Sequence, residues 1–430
     1  MSDPPSVIHT MAVRNAGAAL GRRSFLCAVG AGAVAGLPTQ LALAAPDIRR
    51  QQKRCVILWM AGGPSHLETL DPKLGESGAV GSASIPTAVP GIHLSENLPE
   101  LAKETNDIAL VRSLTSREGS HPRAQHLLQN GYLPMGGVKF PAIGANLSDH
   151  LGSAAAELPG YVRIGPGRVY PGSAGMLSVD HAPLTVRNAQ RPPDNTKPLV
   201  GDRRRRGRLS LLDTFQAEFA SAGGADLVAE RRDLVQAAEA MIHSAGMAAF
   251  DIAHEPAATR AAYGEGRFAE GCLLARRLLE AGVTCVEVVQ NGWDTHDDNH
   301  ARVAEQCGKV DRPAAQLLRD LRDRGMLDST LVVWAGEFGR TPKINGRGGR
   351  DHYPKAFSAW LAGAGVKGGQ VIGATDELGA AVIDQPVSPK DVHRSIYAAL
   401  GVDAEYENIS SNGRPIKLVD DGTPIANLLG

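Results

Sequence analysis

The sequence predicts an α/β domain built on a mainly parallel sheet flanked by helices. Three observations predict it. Short, continuous apolar runs rich in β-branched residues recur along the chain, as in strands buried on both faces. Stretches long enough for helices alternate with them. The chain holds 49 glycines, which suit tight strand-to-helix turns. The 430 residues are 43% hydrophobic, which excludes global disorder and allows one large domain or two to three of ordinary size. The 45 basic side chains balance 46 acidic ones, so the whole chain has no general attraction to nucleic acid or anionic membrane. Aromatic residues make up only 4%, too few for a stacking wall for bases or sugars. No solenoid-type repeat is visible.

The first 44 residues read as an address. Arg22-Arg23-Ser24-Phe25-Leu26 opens an apolar stretch to Leu37, and Ala42-Leu43-Ala44 offers a signal-peptidase site. The pair of arginines resembles the twin-arginine export signal, which predicts a periplasmic or secreted protein. The apolar run is shorter than the ~20 residues of a membrane span, so no integral span is expected in the mature chain. Residues 45–430 are read as one domain.

Arg54–Met60 is predicted as the first buried strand, ending at Ala61-Gly62-Gly63-Pro64. A helix near Leu98–Thr105 precedes a strand at Ile108–Leu114. Helices are expected at 121–131 and 139–151. Gly152 to Gly207 is rich in Gly, Pro and polar residues and reads as an irregular insertion. Arg203–Arg206 with Arg208 fits a solvated loop before a helix; its sharper reading is an anionic partner. Helices follow at 209–221, 224–245 and 265–281, then a strand at Val283–Gln290, a helix at 298–324 and a strand at Leu331–Ala335. Ser358–Ala362 and Gln370–Gly373 are shorter strands. Ser388 before Pro389 caps a helix at 389–400. Cys55, Cys272, Cys285 and Cys307 match no zinc spacing; they read as buried thiols, with one disulfide allowed in an oxidising compartment. No Walker or dinucleotide fingerprint follows a strand.

Ligands of such sheets bind beyond the carboxyl ends of the strands. After the first strand comes Gly62-Gly63-Pro64-Ser65-His66-Leu67-Glu68. After the second come Glu118, Ser120-His121-Pro122-Arg123 and His126. Asn291-Gly292-Trp293-Asp294-Thr295-His296 follows the Val283 strand, with His300 beyond it. Gly336-Glu337-Phe338-Gly339-Arg340 follows the Leu331 strand, and Gly349-Arg350-Asp351-His352 comes soon after. Carboxylates and imidazoles are ligands for Zn, Mn, Mg or Ca. Asp294 with His296, and Asp351 with His352, form two pairs whose side chains on tight loops can converge on one cation. Each segment alone also fits a plainer role: a helix cap at Asp294, a surface His296, a salt bridge at Glu337 and Arg340, turn chemistry at Asp351-His352. Their joint occurrence after successive strands points to a shared site.

These segments resemble a large bacterial family of exported, sulfatase-like proteins of unknown function, similar to the alkaline phosphatase and sulfatase superfamily. The resemblance rests on Leu58-Trp59-Met60-Ala61-Gly62-Gly63-Pro64-Ser65-His66, Asp71-Pro72-Lys73, Trp293-Asp294-Thr295-His296, Glu337-Phe338-Gly339-Arg340-Thr341-Pro342 and Asp351-His352-Tyr353-Pro354. It implies a parallel sheet with metal at its carboxyl edge and a substrate that is a small anionic ester. By the match, Ser120 stands near the nucleophile position and Arg123 steadies its charge. The chain departs from the superfamily by having Gly62-Gly63 where an Asp is usual, Phe338 where a His is usual, and no maturation Cys near Ser120. One metal therefore fits the resemblance better than two.

The implied mechanism places one divalent metal on Asp294, His296, Glu337 and His352, with Asp351 as ligand or support. Arg123 and Arg340 would meet developing charge. His121 or His126 would act as acid or base. The rival expectations are a catalytically silent binding or envelope-assembly protein, and a partner of another exported protein.

Overall fold

The computed structural model describes residues 53–73, 81–153, 156–166, 172–196 and 200–430. The leader at 1–44, with Cys27 and the arginine pair, lies outside the described residues.

Eight strands form one sheet: β1 (Arg54–Ala61), β2 (Ile108–Leu114), β3 (Tyr161–Ile164), β4 (Leu184–Val186), β5 (Cys285–Asn291), β6 (Thr330–Ala335), β7 (Phe357–Ala362) and β8 (Gln370–Ile372). Their order across the sheet is β8-β2-β7-β6-β1-β5-β3-β4. β1 lies at the centre, parallel to β5 on one side and β6 on the other. The two faces of β1 show the strand period of two. Val56, Leu58 and Met60 enter one core, while Cys55, Ile57, Trp59 and Ala61 enter the other.

Helices α6 (Arg267–Glu280) and α7 (Asn299–Asp323) cover the first face. Helices α2 (Ile143–Leu151) and α8 (Pro389–Leu400) cover the second. The other α-helices among the described residues are α1 (His121–Asn130), α3 (Asp202–Phe219), α4 (Ala225–His243) and α5 (Ala257–Tyr263). The expected cap of α8 is present as a reciprocal box: Ser388 Oγ accepts from Asp391 N and Asp391 accepts from Ser388 N.

One strand breaks the parallel rule. β7 is antiparallel to both β2 and β6. The chain leaves β6 at the carboxyl edge, makes the loop from Gly336 to Ala356 there, and re-enters at the same edge. No crossover helix is needed for that return. The loop that carries Glu337 to His352 therefore stays on the edge where ligands of parallel sheets bind.

Two expectations need correction. The segment from Gly152 to Gly207 is not an irregular insertion throughout. It contributes β3 and β4, which extend the sheet in parallel beside β5. Strands of four and three residues between Gly and Pro are too short to show a period. Arg203–Arg208 is not a loop but lies within α3. The four described cysteines are free and buried; Cys55 and Cys285 are opposite each other on β1 and β5.

Among the described residues, no helix is long and apolar enough to cross a membrane.

Candidate functional site

Two loops are joined backbone to backbone at the carboxyl edge. Arg350 N donates to Thr295 O at 3.0 Å, and Asn299 N donates to Gly348 O at 2.9 Å. A Cβ on Gly349 would fall 1.9 Å from the carbonyl of His296, so only glycine allows this approach. The buried Arg350 guanidinium fixes the loop from below, on Glu68 Oε1 at 2.7 Å and on the carbonyls of Thr341 and Pro342. This joint brings Asp294-Thr295-His296 beside Asp351-His352, although the pairs are more than fifty residues apart.

Asp294 is the hub. Its Oδ1 lies 3.1 Å from His296 Nε2 and 3.3 Å from His352 Nε2. His121 Nε2 lies 3.4 Å from the other oxygen. The two imidazole nitrogens of His296 and His352 face each other at 3.0 Å. His121, Asp294 and His352 also offer ligand atoms within 4.8 Å of one another.

The far nitrogens of all three imidazoles are tied to acceptors. His296 Nδ1 meets Asp351 Oδ1 at 3.0 Å, His352 Nδ1 meets Gly119 O at 2.8 Å, and His121 Nδ1 meets Glu337 Oε1 at 2.7 Å. A carbonyl or carboxylate only accepts, so each Nδ1 carries the hydrogen. In the neutral ring the Nε2 atom is then a bare lone pair. Lone pairs of His296 and His352 thus face each other beside Asp294 Oδ1, which accepts from Arg340 Nη2 on its other side. Two facing lone pairs need a positive centre between them, either a proton or a cation. The separations of 3.0, 3.1 and 3.3 Å match the ~3.3 Å edge of a tetrahedral site with ~2.0 Å bonds. A hydrogen-bonded Nδ1 behind each ligating ring is the usual support of a metal-bound histidine. The residues present fit a metal ion.

The electrostatics agree in sign. Burial opposes the charge of His121, but Asp294 and Glu337 outweigh it and raise this imidazole to about 9. Burial also opposes the charge of Asp294, yet His121, His352 and Arg340 hold it far below the ordinary carboxylate range. Without a cation, His121 adds a positive charge to that of Arg340 beside Asp294.

The remaining expected residues are placed as follows. Glu337 is fully buried and stands behind His121, on the side away from Asp294; its Oε1 also accepts from Gly62 N at 3.0 Å and from Gln125 at 2.9 Å. It supports the ring and does not join the convergent set, because His121 fills the space between. Asp351 likewise supports His296 from outside. Arg340 is buried and occupied: Nε donates to Gly63 O at 2.9 Å, Nη1 to Arg350 O at 3.1 Å, and Nη2 to Gly62 O and, at 2.5 Å, to Asp294. It positions Asp294 and does not face open space. Arg123 lies on the exposed side of α1, held by Glu118 at 2.7 and 2.9 Å. His126 Nδ1 is bonded to Tyr132 O at 2.7 Å, away from the cluster. Ser120 is exposed at the N-cap of α1, next to His121, and makes no cap bond.

The two departures noted in the sequence have a packing reason. A side chain on Gly62 would meet Asp294 N at 2.4 Å, so this position has no room for a carboxylate. Phe338 is buried against the imidazoles of His121 and His352, with ring centres 4.8 and 4.6 Å away. It forms an apolar wall for both rings.

Sequence reasoning missed Gln125 and Asn345. Gln125 lies four residues after His121 and so shares its helix face. Asn345 donates to His296 O at 3.1 Å and to Asp351 at 3.2 Å. Its Asn-Gly turn was the available signal.

The chain is similar to several solved structures. The crystal structure of Ps i-CgsB in complex with k-i-k-neocarrahexaose shares 14% identity over 88% of this chain and 75% of that one, with a TM-score of 0.41. The lipoteichoic acid synthase LtaP from Listeria monocytogenes shares 10% over 87% and 76%, with a TM-score of 0.41. The alkaline phosphatase from the Antarctic bacterium TAB5 shares 12% over 81% and 98%, with a TM-score of 0.36. No curated protein matches the sequence. Residues 52–429 match the family described as Protein of unknown function (DUF1501), and the chain belongs to that family.

Proposed function

We propose that the protein is an exported metal-dependent hydrolase of phosphate or sulfate esters. The observation that carries this reading is the convergence of Asp294 Oδ1, His296 Nε2 and His352 Nε2 at 3.0–3.3 Å with every Nδ1 already engaged. Asp294, His296 and His352 would hold the ion, with His121 as a fourth donor or a neighbour. Two or three imidazoles with one carboxylate suit zinc better than the all-oxygen ions magnesium and calcium. A bound ion of this kind polarises an ester oxygen and lowers the pKa of a water or hydroxyl.

The chain's own residues would do the rest. Ser120, exposed at the start of α1, is the candidate nucleophile. Where His121 does not ligate the ion, it can bind the anionic ester or protonate a leaving oxygen through Nε2. Glu337 and Gln125 hold that ring in place, and Phe338 keeps water from one side of it. Export rests on the Arg22-Arg23 leader.

A second reading is a silent binding member. It is favoured by the occupation of both arginines: Arg340 by carbonyls and Asp294, Arg123 by Glu118. Turnover of aryl phosphate and aryl sulfate separates the two. The hydrolase reading expects metal-dependent turnover that falls at least a hundredfold in both Asp294→Ala and His352→Ala. Equal trace turnover in the parent and both variants would select the silent reading.

A further inference from the structure

Helices α3 and α4 form an antiparallel hairpin with a turn at Ala220–Gly224. α3 spans 18 residues and buries none of them. The flank of α3 that meets α4 is only half-buried, along Arg205, Leu209, Leu212 and Gln216. Arg205 pairs with Glu239 near the root, and Arg232 lies 3.8 Å from Asp213 farther out.

A second stripe on α3 faces solvent. Arg204, Arg208, Leu211, Phe215 and Phe219 recur at i, i+4, i+7, i+11 and i+15, one side of a helix. Leu211 is 60% exposed, Phe215 71% and Phe219 55%. On α4 the matching stripe is Leu227, Arg231 and Leu234, with Leu227 63% exposed. In each helix the stripe stands about 100° from the flank that meets the other helix, by the ~100° advance per residue. Because the helices run antiparallel, these rotations bring both stripes to one face of the hairpin.

That face combines large apolar side chains with arginines; its carboxylates, Glu218 and Glu230, stand at its margin, beside Leu211 and between Leu227 and Leu234. Arg203, Arg204, Arg206 and Arg208 make no ion pair among the described residues, whereas Arg205 does. A second copy laid in the same direction would press arginines on arginines. A nucleic acid would satisfy the arginines but leave Leu211, Phe215 and Phe219 in water. An anionic bilayer surface satisfies both halves, with rings and leucines at the acyl boundary and guanidinium groups on phosphates. We propose that this face of the α3–α4 hairpin docks the protein on an anionic phospholipid surface. The attachment is peripheral.

The test is co-sedimentation of the full chain with phosphatidylglycerol–phosphatidylcholine vesicles and with pure phosphatidylcholine vesicles. All variants keep the same N-terminal segment. The proposal expects binding to the anionic vesicles alone, weakened by salt. Arg204→Gln with Arg208→Gln should weaken it about twenty-five-fold, at about fivefold per arginine. Phe215→Ser with Phe219→Ser should weaken it at least tenfold, with helix content unchanged because neither ring is buried. Equal binding to both vesicle types, or binding unaltered by both pairs of substitutions, would overturn it. So would a dimer that dissociates in Phe215→Ser, which would assign the face to a second copy.

Discussion

Asp351 provides the sharpest test of how the site is supported. Its Oδ1 accepts from His296 Nδ1 at 3.0 Å and from Asn345 Nδ2 at 3.2 Å. Asp351→Asn can keep both bonds, because one amide oxygen can accept both donors. It loses only the negative charge behind the His296 ring. Loss of such an outer partner costs about 10–100-fold in metal affinity. Asp351 is 58% exposed, so solvent screens its charge and the lower end applies, about tenfold. Asp351→Ala also removes the acceptor that sets the tautomer and aim of His296. It should approach the upper end, about a hundredfold. The assay is competition for zinc against a chromophoric chelator at fixed pH, with parent, Asn and Ala chains compared. A graded loss, parent above Asn above Ala, is the predicted result. Equal affinities in all three chains would refute the argument that Asp351 supports a metal-bound imidazole.

Other predictions concern stability and packing. His393 is buried, with Nε2 donating to Leu128 O at 2.8 Å, and burial lowers its pKa to about 4. Its unfolded value is ~6.5, so the unfolded chain takes the proton first as pH falls. The stability tied to neutral His393 is complete above pH ~6.5 and is lost between there and pH ~4, up to about 3 kcal/mol. Denaturant titrations from pH 7 to 4.5 should show a shallower fall in His393→Gln than in the parent; parallel curves would contradict this. Gly62 has φ +118° and its Cβ would lie 2.4 Å from Asp294 N. Gly62→Ala should cost about 1–3 kcal/mol in urea unfolding and weaken metal binding at least tenfold, since Asp294 must move. Unchanged metal affinity in a folded Gly62→Ala chain would mean that Asp294 is not a ligand.

Much of the framework was legible because its strands are long and buried on both faces. Arg54–Met60, Ile108–Leu114 and Leu331–Ala335 stand out as apolar runs, and the structure places them within one residue of those limits. β3 and β4 were not legible because they are too short to show a period. β7 was legible as a strand at Ser358–Ala362, but its antiparallel direction was not, since that depends on where the preceding loop stays and not on its own residues. The site was legible as a group of segments. Local spacing brought out Asp294, His296 and Asp351-His352 because each pair is adjacent or alternate in sequence. Spacing could not separate donors that face one another from those that stand behind a ring. Glu337 stands behind His121 and outside the convergent set for that reason, and Arg340 proves to be an internal brace. Those distinctions depend on which side of an imidazole a carboxylate occupies, which only the joined loops decide.

The central claim is that Asp294, His296 and His352 hold a metal ion. Anomalous diffraction at the zinc edge, on crystals of the protein grown with zinc, tests it most directly. One strong peak is expected about 2.0–2.1 Å from Asp294 Oδ1, His296 Nε2 and His352 Nε2. No peak there, or a peak bound by other residues while these three stay in mutual contact, would contradict it.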